Sequence, residues 1–281
     1  MTLLRYGANE IRAWAMFSGD FNPVHFDLVT AARLGLPDVP VHGMRVMLDV
    51  KSALYCDSSA TWGAGCKPLL FKATLRAPVL CDTTYRLHIK RGVNRSGFSV
   101  VNDNDGKICV NGYLRSATPS EMAGGGASQA IVTGADLRAE ATHFATLTDN
   151  ARSVWLLLDA LLFRHLLLHE GALFGDVAHL LGFDDVSSAH CLMARMTVLQ
   201  THHTTLIAPL AQRLTIDALF EAIDANRLHF EIDTPATTED VPGGLAINGL
   251  LAAYVGGELL IRTKISLLAL PHSPTHQETG A

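Results

Sequence analysis

The same order of segments, helices first and strands after, runs twice along the chain. In the front part, helix-like segments reach residue 55 and are followed by strand-like runs at 69–75, 83–91 and 97–114. The last run is broken by a predicted turn at 102–106, Asn-Asp-Asn-Asp-Gly. In the back part, helix-like segments at 151–169, 176–181 and 187–196 are followed by strand-like runs at 197–207, 228–234, 245–254 and 258–270. Helices followed by antiparallel strands are typical of an α+β domain. The repeated order indicates a divergent internal duplication.

A stretch rich in glycine, serine and alanine separates the two parts. It includes three consecutive glycines at 124–126, and such a composition favours a flexible linker. We therefore predict a front domain at 1–116, a linker at 117–135 and a back domain at 136–281. Each domain is long enough to bury its own hydrophobic core.

The composition excludes several classes of protein. The net charge is −5 with 17% charged residues, so no basic patch for nucleic acid is evident. The 48% hydrophobic content is too high for a disordered chain. The most apolar stretch, 154–168, is shorter than a membrane span and is interrupted by Asp159, Arg164 and His165. It predicts a helix that is buried on most sides, and no contact with a membrane.

The sequence gives no sign of export, metal binding or cofactor binding. Its start lacks the basic and apolar regions of a signal peptide, so we expect a cytoplasmic protein. The five cysteines form no CxxC pair, which favours reduced thiols over disulfides or zinc. The pair His165 and His169 has a helical spacing that can bind zinc, but its leucine-rich surroundings favour packing. The adjacent His202 and His203 point to opposite faces of a strand. We predict neither a metal nor a cofactor.

The densest polar cluster lies between residues 17 and 44. Asp20 and His25 flank an Asn-Pro turn that can bring a carboxylate and an imidazole together, a pair suited to activating water. Downstream, His42 and Gly43 open a predicted helix, whose free N–H groups can stabilise an oxyanion. Taken singly, Ser18, Asp20 and Asn22 are also ordinary turn formers and caps, and His25 could be a structural histidine.

Taken together, these residues resemble a known signature. The string Phe17-Ser-Gly-Asp-Phe-Asn-Pro-Val-His-Phe-Asp, with the later His42-Gly-Met, resembles the hydratase-2 motif of MaoC-like (R)-specific enoyl-CoA hydratases and dehydratases. The run from Leu70 to Thr83 is similar to a strand and turn of the same family. The resemblance implies a double-hotdog fold, in which each half wraps an antiparallel sheet around a central helix. It covers the front half well and the back half only by its order of elements.

The resemblance also implies roles for particular residues. The family's catalytic aspartate and histidine fall on Asp20 and His25, and its oxyanion glycine falls on Gly43. Asn22 matches the asparagine that helps to hold the loop, and Ser18 and His42 are further candidates for the oxyanion and substrate site. The implied reaction is reversible syn hydration of a 2-enoyl thioester to a (R)-3-hydroxyacyl thioester. The acyl carrier would be coenzyme A or an acyl carrier protein, as in fatty acid or polyketide metabolism.

Two alternatives to hydration stay open at this point. The chain could add another nucleophile, such as an amine, to an enoyl thioester, or it could bind acyl thioesters without catalysis. The back half lacks the motif, so we expect one active site per chain, with the back half shaping the acyl pocket. A separation of about 5 Å or less between the side chains of Asp20 and His25 would favour catalysis over mere binding. The protein would be a monomer or a homodimer.

Overall fold

A computed structural model describes residues 2–58, 67–122, 128–130, 134–148, 153–169, 171–183, 185–186, 188–241 and 244–271. The elements of the front half, in chain order, are β1 (Thr2–Leu4), α1 (Ala8–Ser18), a 3-10 turn (Pro23–His25), α2 (Leu28–Arg33), α3 (Gly43–Ser58), β2 (Leu69–Leu75), β3 (Tyr85–Lys90), β4 (Arg95–Asn102) and β5 (Ile108–Ser116). The predicted strand at 97–114 is thus two strands, which are separated at the predicted turn.

The remaining elements again place the main helices before the long strands. They are α4 (Pro119–Met122), β6 (Ser128–Ala130), α5 (Gly134–Phe144), α6 (Val154–His169), α7 (Gly171–Leu180), α8 (Ala189–Arg195), β7 (Met196–Ile207), α9 (Pro209–Arg213), α10 (Ile216–Asp224), β8 (Leu228–Val241), β9 (Gly244–Val255) and β10 (Glu258–Pro271). Strand β6 comes before α5, however, and α9 and α10 lie between β7 and β8. Sequence patterns predicted the long strands and α6, but not β1, α5, α9 or α10.

The described strands form one antiparallel sheet in the order β1-β3-β4-β5-β2-β7-β10-β9-β8-β6. Strands β2 and β7 join the two halves, with Leu69 opposite Ile207 and Thr74 opposite His202. The two edge strands of the halves therefore satisfy each other's backbone hydrogen bonds within a single chain.

A long helix packs against each half of the sheet. In α3, Met47, Val50 and Leu54 are inaccessible to solvent, which is the spacing of one helical face. Helix α6 is buried almost all round, as its sequence predicted, and it contacts α3, β9 and β10. The α+β double-hotdog architecture is confirmed.

The predicted linker at 117–135 contains short elements. Helix α4 begins after Thr118, whose N–H and hydroxyl donate to Glu121 Oε2 at 2.8 and 2.9 Å. This capping arrangement and an ion pair between Arg115 and Glu121 order the segment locally. The glycine-rich composition had predicted a flexible linker instead. Strand β6 pairs with β8. Residues 123–127, which include the glycine run, and 131–133 lie outside the described residues, so the domain boundaries stay a prediction.

The apolar segments of the protein raise the question of a membrane span. Over the residues that the structure describes, no helix combines the length and the apolar character that crossing a bilayer requires. Helix α6 is strongly apolar, and its hydrophobic side chains, except that of Leu168, are buried in the core.

Candidate active site

The loop that carries Asp20 starts at the end of α1. Gly19 ends this helix in the left-handed conformation, with φ of 77°, and its N–H donates to the carbonyl of Ala15 at 2.8 Å. Glycine adopts this conformation without strain, and this explains its place at the end of the helix. Ser18 is fully buried, and its Oγ accepts the N–H of Asp20 at 3.1 Å. The chain is thereby turned so that Asp20 leaves the helix axis.

Asn22 holds the next part of the loop. Its Oδ1 accepts the N–H of Val24 at 3.3 Å and so caps the 3-10 turn, which Pro23 begins. Its Nδ2 donates to the carbonyl of Val198 on β7 at 2.8 Å. Arg164 on α6 donates to the carbonyl of Phe17 in the last turn of α1, directly before the same loop. The loop is thus tied at two points to the back half of the chain.

His25 ends the 3-10 turn with a defined proton position. Its Nδ1 lies 2.7 Å from the carbonyl oxygen of Pro40. A carbonyl only accepts hydrogen bonds, so Nδ1 carries the proton and Nε2 of the neutral ring remains an acceptor. Burial lowers the pKa of His25, although the charge of Asp20 opposes this. The neutral ring can therefore take up a proton at Nε2.

Asp20, His25 and His42 form a compact cluster. One side-chain oxygen or nitrogen from each lies within 4.8 Å of those of the others. Burial raises the pKa of Asp20, while His25 and the N–H of Asn22 oppose the rise. A carboxylate and an imidazole thus lie close together, and burial moves their pKa values toward each other.

His42 supports this pair from behind. Its ring packs on that of His25 with centroids 3.8 Å apart, and its Nε2 donates to the carbonyl of Asp20 at 2.9 Å. Burial, with a contribution from His25, holds the pKa of His42 well below its usual range. His42 is therefore a neutral ring that fixes both the Asp20 backbone and the plane of His25.

A cavity of about 370 Å³ opens beside Asp20 and His25. Most of its wall is apolar and comes from both halves of the chain. Leu75 and Val79 contribute from the front half, and Phe163, Leu167 and Met193 from the back half. The reactive pair stands at one side of a pocket that can accept an apolar chain.

Gly43 lies on the wall of the same cavity, at the first position of α3. The first N–H groups of a helix have no partner inside it and carry its positive dipole end. A Cβ atom at this position would overlap Leu75 Cδ2 and lie 3.2 Å from Gln200 Oε1. Close packing at this point of the cavity wall therefore requires glycine.

The structure separates the predicted site residues into two groups. Asp20, His25 and Gly43 line the cavity, whereas Ser18, Asn22 and His42 are absent from its described lining and hold the loop behind it. Sequence reasoning missed Gln200 on β7, which lines the cavity next to Gly43. It also missed the tie from Arg164. Both residues come from the half that lacks the motif, so no local pattern marked them.

Solved structures that resemble the chain include MaoC-like dehydratases and double-hotdog proteins. A MaoC-like dehydratase is 11% identical, with 96% of each chain covered and a TM-score of 0.49. A conserved protein of Mycobacterium tuberculosis, described as having a double hotdog fold, is 12% identical, with 96% of this chain and 94% of that one covered and a TM-score of 0.48. An (R)-hydratase from A. caviae is 22% identical, covering 41% of this chain and 92% of its own, with a TM-score of 0.31. No family model and no curated protein matches the sequence.

The cluster also bears on the prediction that the protein uses no metal. Asp20, His25 and His42 each bring one possible ligand atom to it. Nδ1 of His25 and Nε2 of His42 are occupied by backbone carbonyls, which leaves one nitrogen on each ring. A cation would have to be held by these two nitrogens and the carboxylate. The absence of a metal from the reaction stays a prediction.

Proposed function

We propose that the protein is a MaoC-like hydratase or dehydratase of acyl thioesters. The observation that carries the proposal is the placement of Asp20 and His25 within 4.8 Å of each other, on an apolar cavity that Gly43 also lines. A binding protein without catalysis would not need a buried carboxylate beside a neutral imidazole, because burying these groups costs free energy. The roles of Asp20, His25 and Gly43 that the motif implied are part of this proposal.

The geometry supports a defined course for hydration. A water molecule between the Asp20 carboxylate and Nε2 of His25 gives up a proton to the pair as its oxygen bonds to C3 of the enoyl group. The pair returns a proton to C2, so that one water is added in total. Negative charge that develops on the thioester oxygen is stabilised by the N–H groups at the start of α3. Dehydration is the same course in reverse.

The back half takes part by lining the acyl pocket in this proposal. Phe163, Leu167 and Met193 reach the cavity from α6 and α8, and Leu267 reaches it from β10. An acyl chain attached to coenzyme A or to a carrier protein would lie against these side chains. Chain-length preference would then be set by the half that carries no reacting group.

Incubation with crotonyl-CoA tests the proposal directly. Loss of the enoyl absorbance with formation of the (R)-3-hydroxy product is the expected result, and longer enoyl thioesters on both carriers would define the substrate range. Activity with an amine but not with water would support addition of another nucleophile. Binding of the thioester without turnover in either direction would contradict the enzymatic proposal.

The Gly43→Ala variant should lower kcat by about 10²-fold, the usual effect of removing one oxyanion donor. The added methyl group would push against Leu75 and Gln200 and displace the thioester oxygen from the start of the helix. Gly97→Ala is a matched control, because a Cβ there meets only the carbonyl of Gly112 at 3.8 Å. Steady-state kinetics on both variants makes the comparison. Equal kcat values in the two variants would argue against a role for Gly43.

The rate should fall as the pH drops, because the reactive pair needs an ionised Asp20 and a neutral His25. Burial raises the pKa of Asp20 above 3.8 and lowers the pKa of His25 below 6.5. The two groups titrate as a pair, and the midpoint of the acid limb of kcat/KM should lie between these values. A profile of kcat/KM against pH measures it. A midpoint above 6.5 would show that His25 is not held neutral by burial.

A further inference from the structure

A buried charged cluster lies between the two central helices. It comprises Lys51 on α3, Asp159 on α6, and His203 on β7, with Thr205 and Thr263 around the carboxylate. All five side chains are almost completely inaccessible to solvent. The mechanism described above does not use this cluster, yet Nδ1 of His203 lies 3.2 Å from the amide of Gln200, which lines the active-site cavity.

The hydrogen bonds of Lys51 fix the proton on His203. The ammonium group has three N–H donors and no acceptor. It contacts Asp159 Oδ2, lies 3.0 Å from His203 Nε2, and faces the Phe71 ring at 5.0 Å. The same Nε2 lies 3.1 Å from Asp159 Oδ1 and 2.9 Å from Thr205 Oγ1. Because Lys51 can only donate, we assign the acceptor role to Nε2. The proton of a neutral His203 is then on Nδ1.

The surroundings of the carboxylate agree with this tautomer. Asp159 Oδ1 already accepts the hydroxyl groups of Thr205 and Thr263, both at 2.8 Å. A proton on Nε2 would point at the ammonium group 3.0 Å away. Burial lowers the pKa of His203, and the charge of Lys51 lowers it further, so the ring is neutral. With these assignments every polar group of the cluster has a partner.

The tautomer determines which way Gln200 faces. An N–H at Nδ1 of His203 needs an acceptor, and the amide of Gln200 is the group beside it. The oxygen and nitrogen of an amide exchange places by a half turn, so the hydrogen-bond network decides between them. The structure places Nε2 of Gln200 toward His203 and 3.6 Å from Met44 Sδ, with Oε1 toward Gly43. A proton on Nδ1 of His203 requires the half turn that puts the amide oxygen toward His203. The amide NH₂ then faces the cavity, at the position 3.2 Å from where a Cβ of Gly43 would stand.

We propose that Gln200 donates a hydrogen bond to the thioester oxygen of the bound substrate, beside the start of α3. Lys51, Asp159 and His203 are positioning residues, which hold the amide with its NH₂ toward the cavity. This inference rests on the proposed function for the identity of the substrate. It assigns a direct substrate contact to the half of the chain that lacks the hydratase motif.

Kinetics tests the substrate contact. Gln200→Leu should lower kcat for crotonyl-CoA by about 10²-fold, as expected for loss of one oxyanion donor. Gln200→Glu should lower kcat further, because the glutamate side chain keeps the shape of glutamine but places a hydrogen-bond acceptor at the developing negative charge. Gln212→Leu, at a glutamine whose side chain bonds to the carbonyl of Lys67, is the matched control and should keep the wild-type kcat. Full activity in Gln200→Glu would overturn the proposal.

A double-mutant cycle tests the positioning role. His203→Asn should reduce kcat with little change in KM, and it should add no further loss in the Gln200→Leu background. An equal loss in both backgrounds would mean that His203 acts on stability alone and not through Gln200. If His203→Asn does not fold, Lys51→Arg can take its place in the same cycle, since it keeps the charge but moves the donors.

Vibrational spectroscopy separates this inference from the proposed function. Crotonyl-CoA bound to the Asp20→Asn variant is not expected to react, so its thioester carbonyl band can be recorded. The band should lie at lower frequency than in water and should move back toward the water value in Asp20→Asn/Gln200→Leu. A Gln200-dependent shift in a protein without hydratase activity would support the contact and contradict the hydratase. Hydratase activity with no Gln200-dependent shift would contradict the contact alone.

Discussion

Asp20→Asn and His25→Ala should each lower kcat/KM for the hydration of crotonyl-CoA by about 10³-fold, within the range for loss of a general acid or base. The amide of asparagine cannot accept the proton of water, and alanine removes the nitrogen that faces the carboxylate. The two residues act on one water molecule, so the double variant should be little worse than either single variant. Stopped-flow or steady-state loss of enoyl absorbance measures all three.

Matched controls for these variants exist in the same half of the chain. Asp27, seven residues after Asp20, is exposed and caps α2 through hydrogen bonds to Val29 and Thr30. Asparagine is also a good cap, so Asp27→Asn should keep full activity. His88 is exposed on β3, and His88→Ala should likewise keep full activity as the control for His25→Ala. Retention of activity in both Asp20→Asn and His25→Ala would exclude the proposed hydratase mechanism.

Lys51→Met should lower the free energy of unfolding by about 3–5 kcal/mol, because it leaves the carboxylate of Asp159 buried without its cation. Burial alone would raise the pKa of Asp159, but the charge of Lys51 holds it well below its ordinary value of 3.8. The carboxylate therefore stabilises the fold at neutral pH, and this contribution is lost as the pH falls below 3.8. Urea denaturation at neutral pH measures the change.

Two further variants test whether the loss of stability is specific to the buried ion pair or follows from the removal of any charge. Arg5→Met breaks the exposed ion pair with Asp82 and should cost less than about 1 kcal/mol. Lys51→Met/Asp159→Leu removes both buried charges, and its loss should be smaller than the sum of the two single losses. Wild-type stability in Lys51→Met would show that the carboxylate takes up a proton at no cost.

Local sequence patterns were sufficient to predict the elements that depend on residues close together in the sequence. The alternation of segments predicted the two halves, and the unbroken apolar run predicted the burial of α6. The segment from Ser18 to His25 could be interpreted because its turn formers and its reactive groups are neighbours in sequence. Capping by Asn22 and the glycine end of α1 are short-range effects of this kind.

The remaining features depend on contacts between distant parts of the chain. Asp159 was visible only as a charge that interrupts an apolar helix, since its partners Lys51 and His203 are 108 and 44 positions away. His202 and His203 could be predicted to point to opposite faces of a strand, but His203 could not be recognised as a partner of Gln200. Arg164 bonds to Phe17 across 147 positions. Short elements such as β1 and α9 are too brief to give a periodic signal.

The ties from Asn22 to Val198 and from Arg164 to Phe17 have a consequence for dynamics. The loop that carries Asp20 is held by backbone and side-chain groups of the other half, and the sheet continues without a break from β2 to β7. Any opening of the back half would release this loop, since its anchors would be lost together. The lifetime of the competent loop is thus limited by the most frequent opening of the half that supplies no acid or base. A half that carries none of the motif's reactive groups can in this way hold the reactive loop of the other half in place.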